Sequence, residues 1–247
     1  MHLKFIKEIL GIHCKATNVA CLAELNRHPL RVRVKLLAIK FWEHITNSSN
    51  TLVNKIYNNV NPNNTWNTTI HKWINELGFG YLISNTSIIK QKIDSIKQRI
   101  TDQAIQNQYS CLKENNKLIF YRKINRMNER PPYVDVCKFR TDRSIICKFR
   151  ISAHRLAIER GRYKNIPKSS RVCTSCNTGQ LENEFHFFIH CPTYEKFRQE
   201  LINKIKYTYQ NFNSLNENNI FLIFNSGSLI ILKAIIEFTN KCLALSS

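Results

Sequence analysis

A group of potential metal ligands lies between residues 171 and 194 of this chain. Cys173, Cys176, His186 and Cys191 follow the spacing Cys-x2-Cys-x9-His-x4-Cys. A Cys-x2-Cys turn brings two thiolates onto one ion, and a His and a Cys about one helical turn apart can complete a tetrahedron. Three thiolates and one imidazole leave no position for water. The spacing therefore predicts a closed structural site, for which Zn²⁺ is the natural ion.

The same residues allow other interpretations at the level of sequence. His190 could replace Cys191 and give a Cys2His2 site, although the nine residues between the second Cys and the first His are fewer than the roughly twelve of a DNA-reading finger. A redox Cys-x2-Cys pair is expected to open a helix after a strand, whereas Thr174 and Ser175 lie in a polar stretch. Four unrelated residues are the remaining alternative. We favour the Cys3His site.

The charge of the chain is strongly positive and unevenly distributed. Its 37 Lys and Arg residues face 17 Asp and Glu residues, which gives a formal net charge of +20. The segment 117–171 holds 16 of these cations and only four of the acids, so more than half of the net charge is concentrated there. Such a local field is typical of a protein that holds a polyanion, and nucleic acid is the usual one.

Apolar periodicity predicts a mostly α fold with at most a few short strands. In the expected helix 29–45, Leu30, Val34, Leu37 and Phe41 share one face, which predicts an amphipathic helix with its charged side in solvent. The best strand candidate is 117–121, and a second short strand pair is expected at the metal loop. Other expected elements are a first helix with a stripe at Leu3, Ile6, Ile9 and Leu10, helices at 18–25, 66–77 (ending at Gly78) and 87–113, and a loop at 58–69.

The basic region is predicted to centre on one helix, with Asp142 as its N-cap and Gly161 as its C-terminal stop. A merely solvated basic face would normally carry interspersed Glu, and Glu159 stands almost alone. The apolar face of this helix consists of Ile146, Phe149, Ala153 and Leu156. The residues predicted to neutralise phosphates are Arg140, Arg143, Lys148, Arg150, Arg155, Arg162 and Lys164, with Tyr163 as a candidate for stacking on an unpaired base.

Composition argues against several other classes of function. The chain has only four Asp, none close to another in sequence, which argues against a carboxylate-based two-metal active site. Nine cysteines in 247 residues are too few for a disulfide scaffold, so we expect an intracellular protein, nuclear or cytoplasmic, with reduced thiols. Polar residues interrupt the most apolar segment, 220–245, so no membrane-spanning helix is expected. No cofactor loop or small-molecule site is apparent.

The metal-ligand region and the basic segment before it resemble a known family. Residues 147–198 read CKFRISAHRLAIERGRYKNIPKSSRVCTSCNTGQLENEFHFFIHCPTYEKFR. This run is similar to the zinc-binding segment at the C-terminal end of reverse transcriptases encoded by non-LTR retrotransposons of the jockey-like and related types. Residues 3–45, LKFIKEILGIHCKATNVACLAELNRHPLRVRVKLLAIKFWEHI, resemble the segment after the polymerase thumb in those proteins.

The resemblance implies zinc ligation by Cys173, Cys176, His186 and Cys191. It also implies a parent polyprotein with an endonuclease, a polymerase palm and a C-terminal region thought to hold template RNA or target DNA. The family's palm motif has adjacent aspartates, whereas the nearest string here, Tyr133-Val134-Asp135-Val136, has only one. A two-metal site cannot be assembled without the second aspartate. We therefore expect neither polymerase nor nuclease activity.

These observations predict four segments: a helical post-thumb-like region at 1–116, a basic helical segment at 117–171, a zinc knuckle at 172–197 and C-terminal helices at 198–247. The leading functional hypothesis is a nonenzymatic module that binds RNA, DNA or both. One alternative is an interaction module whose knuckle and C-terminal helices, 194–209 and 229–245, dock on a reverse transcriptase core carried by a separate chain. The other alternative is a non-functional relic of a truncated element.

Overall fold

The computed structural model describes residues 2–59, 65–85 and 88–245. Over these residues the chain is built from helices, and the predicted mostly α fold is confirmed. The β structure in the described part is a single antiparallel bridge between Val172 and Leu181, at the metal loop where the sequence predicts a strand pair. None of the described helices combines the length and the apolar character needed to cross a membrane.

The described residues form fourteen α-helices. Through the described residues they are α1 (His2–Ile9), α2 (Asn18–Glu24), α3 (Leu30–Thr46), α4 (Thr51–Asn59), α5 (Thr65–Glu76), α6 (Tyr81–Ser84), α7 (Ile89–Glu114), α8 (Ile119–Ile124), α9 (Tyr133–Val136), α10 (Arg140–Arg150), α11 (Ala157–Tyr163), α12 (Glu195–Lys206), α13 (Ile220–Phe224) and α14 (Leu229–Leu245). Short 3-10 turns lie at Lys168–Ser170 and Pro192–Tyr194, and a π-helical turn lies at His186–His190.

The chain divides into two compact units. The larger unit is formed by residues 2–27 and 110–245, and the smaller unit by residues 28–109. Residues 2–27, which the sequence groups with the helical region 1–116, therefore pack with the C-terminal half of the chain. Since the boundary falls near Tyr109, it lies within α7.

The smaller unit closes around an apolar core. Trp42 of α3 donates a hydrogen bond from its indole Nε1 to the Tyr57 hydroxyl of α4 at 3.0 Å. Gly78 follows the end of α5 with a φ of +81°, a conformation that favours glycine and fits the predicted stop. Of the predicted loop 58–69, residues 60–64 lie outside the described residues and 65–69 belong to α5, and the predicted helix start at Ser87 also lies outside them. The core residues are Ile39, Trp42, Ile70, Ile74, Leu77, Leu82, Ile89, Ile96 and Ile100.

The helix α3 packs through a different apolar face from the one that its sequence spacing singles out. Ile39 and Trp42 are buried in the core of the smaller unit. In contrast, the four residues Leu30, Val34, Leu37 and Phe41 are 51–57% exposed. The helix therefore carries two apolar faces, and α4 and α5 pack against it.

The larger unit is centred on a cluster of phenylalanines. Phe149 of α10 lies 5.1 Å from both Phe187 and Phe188, measured between ring centroids. Phe224 of α13 and Phe238 of α14 extend the cluster. Because Phe187 and Phe188 belong to the π-helical turn, the metal loop is anchored in this core. The helices α12 and α14 pack against each other and bury apolar residues of both.

The predicted strand at 117–121 is wrong, because Ile119–Ile124 form the helix α8. The Asn115 side-chain oxygen accepts a hydrogen bond from the Lys117 backbone amide at 2.9 Å, which makes a turn just before the helix. Phe120, Tyr121 and Ile124 are then buried on one helical face. A short apolar run fits either a strand or a buried helix, and the turn at Asn115 is the local feature that favours the helix.

The single basic helix predicted between Asp142 and Gly161 is also wrong, because two helices, α10 and α11, occupy this stretch. The break contains Ser152, whose φ of +52° lies in the left-handed region, a conformation that interrupts a right-handed helix. Phe139, rather than Asp142, is the N-cap of α10. Gly161 lies inside α11, where a Cβ atom would approach the Arg171 side chain to 2.6 Å. Glycine is therefore needed there for close packing.

Candidate metal centre and candidate nucleic-acid-binding residues

The structure brings Cys173, Cys176, His186 and Cys191 together. One ligand atom from each of these buried residues lies within 4.8 Å of every other one. The Cys176 Sγ and His186 Nε2 atoms are 3.3 Å apart. Metal bonds of about 2.3 Å to sulfur place tetrahedral ligand atoms roughly 3.7 Å apart. The four side chains can therefore surround one metal ion, and we call them the metal cluster.

Local backbone hydrogen bonds build the metal cluster from two pieces of chain. The Cys173 amide donates to the Gln180 carbonyl at 2.8 Å, and the Glu182 amide donates to the Arg171 carbonyl at 3.0 Å, which closes the loop that carries the first two cysteines. In the π-helical turn the Cys191 amide donates to the His186 carbonyl at 2.7 Å. This wider turn holds both residues at the cluster, and such turns are frequent at functional sites.

A second layer of contacts orients the ligands. Gln180 Oε1 lies 3.0 Å from His186 Nδ1, so that Nδ1 can donate to the amide oxygen and leave Nε2 directed toward the cysteines. The Thr178 hydroxyl lies 3.1 Å from Cys176 Sγ. His190 lies outside the metal cluster, where its half-exposed ring is 3.6 Å from Glu217. Cys191, not His190, is thus grouped with the other three ligands.

The pKa values in the metal cluster depend on burial and local hydrogen bonds. Burial raises the pKa of Cys173 to about 12 and also raises the pKa of Cys191. Burial alone would raise the pKa of Cys176 too, but hydrogen bonds from Thr178 lower it. Burial lowers the pKa of His186 and favours the neutral imidazole that binds metals. A redox Cys-x2-Cys motif would usually place its reactive thiol at a helix start with a lowered pKa, which Cys173 does not have.

Two buried carboxylates join the metal loop to the break between α10 and α11. Glu184 accepts a hydrogen bond from the Ser152 hydroxyl at 2.5 Å and lies 2.9 Å from His154 Nε2. Burial alone would raise the pKa of Glu184, but His154 and the Ser152 hydrogen bond lower it. The Glu182 carboxylate accepts from the first amide of α11, that of Ala157. The stretch between Cys176 and His186 therefore holds the chain that leads into α11.

No family model matches this chain, and no curated protein or solved structure matches it either.

Arg150, one of the predicted phosphate contacts, is fully buried and cannot reach a phosphate in this fold. Its guanidinium forms a two-pronged ion pair with the buried Glu24 carboxylate, with contacts of 2.9 to 3.1 Å. It also donates to the Phe224 carbonyl at 2.8 Å. Burial alone would lower the pKa of Arg150, but the Glu24 carboxylate raises it above its usual value. The predicted phosphate contact at Arg150 is therefore wrong, because Glu24, a residue far away in sequence, pairs with its guanidinium in the interior.

Arg143 and Arg162 are also engaged within the protein. Arg143 Nη1 donates to the carbonyls of Cys137 at 2.7 Å and Lys138 at 2.9 Å. Arg162 pairs with Glu159 at 3.2 Å. Both cations already bind partners within the protein. Their surroundings therefore do not support the prediction that they are free to neutralise phosphates.

The other predicted residues lie at the surface. Arg140, Arg155 and Lys164 are exposed and Lys148 is half-buried, and none of the four forms an ion pair with a described residue. The Tyr163 ring is 59% exposed, and the Lys117 ammonium lies 5.8 Å from its centroid. Four of the seven predicted cations thus remain available to a ligand.

Phe139 is an exposed aromatic residue that the sequence patterns do not single out. Its side chain is 73% exposed between the exposed residues Lys138 and Arg140. The two hydrogen bonds from Arg143 fix the backbone on the N-terminal side of Phe139. An aromatic residue between two cations on a fixed turn is a suitable platform for an unpaired base. The sequence signal was the string Lys-Phe-Arg at 138–140.

The metal cluster can hold a metal ion but offers that ion no open face. All four ligands are buried, and three thiolates with one imidazole fill a tetrahedron. Such a site stabilises structure instead of activating water. Its effect on function must therefore pass through the chain that it holds in place.

Proposed function

We propose that this chain is a nonenzymatic nucleic-acid-binding module in which a structural Zn²⁺ ion fixes the surroundings of a basic surface. The main support for this proposal is the pair of buried carboxylates, Glu182 and Glu184, which lie in the metal loop and hold the start of α11. The proposed metal and the proposed ligand-binding residues are thereby parts of one structure. We further propose that the chain derives from the C-terminal region of a non-LTR retrotransposon reverse transcriptase.

The donor chemistry supports zinc as the ion. Three Cys and one His are a common ligand set of structural zinc sites, and thiolate ligands select against Mg²⁺ and Ca²⁺. The contact between His186 Nδ1 and Gln180 is the outer-layer bond that a metal-binding histidine usually makes. The residues that would hold zinc are Cys173, Cys176, His186 and Cys191, and the ion would supply cross-linking of the two pieces of chain.

The available cations support phosphate binding. Arg140, Lys148, Arg155 and Lys164, together with Lys138, give five candidates for phosphate contacts. Since each neutralised duplex phosphate contributes about −0.9 to the slope of log affinity against log salt, five contacts give a slope of about −4.5. Phe139 and Tyr163 add exposed rings on which unpaired bases can stack. This combination suits RNA or DNA with single-stranded parts.

The surroundings of the aspartates favour a role without catalysis of nucleotide transfer. Asp135, the single aspartate of the palm-like string, pairs with Arg130 at 2.8 Å. Asp94 and Asp102 lie on α7 in the smaller unit, and Asp142 lies in the first turn of α10. A two-metal site needs carboxylates gathered around both ions, and these four are spread over three helices.

A fluorescence anisotropy titration tests the proposal. The zinc-loaded protein is titrated against an RNA hairpin, single-stranded RNA and duplex DNA at about 50 to 300 mM salt. Cys176→Ser is the test variant, and Cys111→Ser is the matched control, because Cys111 is an exposed thiol outside the metal cluster. We expect salt-sensitive binding that weakens in Cys176→Ser and is unchanged in Cys111→Ser. Absence of binding at the lowest salt would refute the nucleic-acid function, and equal binding by both variants would refute the role of zinc.

A further inference from the structure

The helix α3 exposes an aligned apolar stripe. Leu30, Val34, Leu37 and Phe41 are 51%, 51%, 55% and 57% exposed, respectively. At about 100° per residue their spacing places them within a strip roughly 60° wide and about 16 Å long. We call these four residues the α3 stripe. Single exposed apolar residues are common on proteins, but a contiguous apolar surface usually marks an interaction site.

The α3 stripe is not needed for the core of the smaller unit. Ile39 and Trp42, on the other side of α3, are 1% exposed and supply its core contacts. The Phe41 ring centroid lies 6.0 Å from that of Trp66, yet 57% of Phe41 stays exposed. The stripe therefore remains accessible when the smaller unit is folded.

Cations line both edges of the α3 stripe. Helical geometry places Arg31 on one side and Arg33 and Lys40 on the other, and all three are exposed. Arg31 and Arg33 form no ion pair with any described residue. Lys97 is the main cause of the lowered pKa of Asp94, and Lys40 adds to it. Lys35, the fourth cation of α3, already pairs with Glu76 at 3.6 Å.

We propose that the α3 stripe is the docking site for an amphipathic helix with acidic flanks from another protein. Residues at i, i+4, i+7 and i+11 are the pattern by which one helix packs along another. Acidic flanks would complement Arg31 and Arg33, which steers association and fixes orientation. A second copy of this chain fits less well, since it would bring the same cations against each other. The proposal does not depend on nucleic-acid binding, because neither the stripe nor its flanking cations are among the residues proposed above to bind nucleic acid.

A pair of designed peptides tests the proposal on the full chain. Both peptides have about 20 residues and carry leucines at the spacing of the α3 stripe. One has Glu on both flanks and the other has Lys. Binding is measured by fluorescence anisotropy, and light scattering reports the oligomeric state. The variants are Val34→Ser/Leu37→Ser, which removes half of the stripe, and Arg31→Glu/Arg33→Glu, which leaves it intact. Ile230→Ser is the control, because Ile230 is 60% exposed on α14 of the larger unit.

We expect the Glu peptide to bind about tenfold more tightly than the Lys peptide, and Val34→Ser/Leu37→Ser to lose about tenfold. Arg31→Glu/Arg33→Glu should reverse the preference between the peptides, and Ile230→Ser should change nothing. Circular dichroism must show native helix content in each variant. The proposal is overturned by equal binding of both peptides, or by no binding at about 1 mM. It is also overturned by dimers that dissociate in Val34→Ser/Leu37→Ser, which would make a second copy the occupant.

Discussion

Replacing Arg150 with methionine distinguishes an interior role for this arginine from a role in phosphate binding. Arg150 is fully buried and is the partner of the equally buried Glu24. Removing the guanidinium leaves the Glu24 carboxylate in the interior with the Tyr133 hydroxyl as a hydrogen-bond donor. The Phe224 carbonyl loses a donor as well. The variant should therefore lose stability, because an uncompensated buried charge is strongly unfavourable.

The expected loss can be stated as a free energy of unfolding. Breaking one partner of a buried ion pair typically costs about 3–5 kcal/mol. For a unit of more than 150 residues this corresponds to a fall in melting temperature of about 6–20 °C. Urea unfolding followed by circular dichroism measures the change. Arg155→Ala is the matched control, since Arg155 is exposed and forms no ion pair with a described residue. This control should keep its stability and lose nucleic-acid affinity.

A double variant tests the cause of the destabilisation. Glu24→Gln/Arg150→Met removes both charges, so it should recover at least half of the stability that Arg150→Met loses. Two results would refute the reasoning. One is native stability of Arg150→Met with weakened nucleic-acid binding, which would return Arg150 to the phosphate-binding set. The other is a double variant less stable than the single one, which would show that charge compensation is not the reason for the loss.

Three further predictions concern the proposed surface and the metal loop. Phe139→Ala should weaken binding of single-stranded RNA by about 1–3 kcal/mol through lost stacking and leave duplex binding unchanged in anisotropy titrations; equal losses on both ligands would contradict stacking. Glu182→Ala should lower the free energy of unfolding by about 1–3 kcal/mol, because the Ala157 amide loses its acceptor, and an unchanged urea midpoint would contradict this. Chelation of the proposed Zn²⁺ should speed hydrogen exchange at Ala157 and Ile158 but not at Ile74 of the smaller unit, and unchanged protection at all three amides after chelation would disprove the coupling.

The metal cluster and the basic segment differ in how far the sequence predicts them. The four ligands lie within 19 residues, so short-range geometry determines where they meet, and only the choice between Cys191 and His190 needed the structure. The basic segment contains the string Lys-Phe-Arg twice, at 138–140 and at 148–150. In the first copy Phe139 and Arg140 are exposed, and in the second Phe149 and Arg150 are buried. Local sequence cannot separate the two copies, since the second is buried by Glu24 and by the phenylalanine cluster.

The errors in the helix predictions have the same origin. Periodicity over 142–161 fits one helix, but Ser152 adopts a left-handed conformation and its hydroxyl bonds to Glu184. Glu184 lies 32 residues after Ser152, outside the range 142–161 over which the helical periodicity was judged. Similarly, α3 has two apolar faces, and only the positions of its neighbours decide which one is buried. The break at Ser152 and the buried face of α3 thus depend on distant residues, whereas the strand predicted at 117–121 failed for a local reason, the turn at Asn115.

The nine residues between Cys176 and His186 explain why the metal loop differs from a DNA-reading finger. Glu182 and Glu184 are buried, although glutamate is rarely buried without a partner. Neither glutamate is one of the four metal ligands, so closing the metal site does not explain their burial. Their partners are Ser152 and His154, in the connection between α10 and α11, and the amide of Ala157, the first residue of α11. In place of a DNA-reading helix, this loop carries two glutamates that hold the start of α11. If zinc binds here, it holds these two carboxylates in place. The ion would then also fix the positions of the exposed residues Arg155 and Lys164, which lie just before and just after α11.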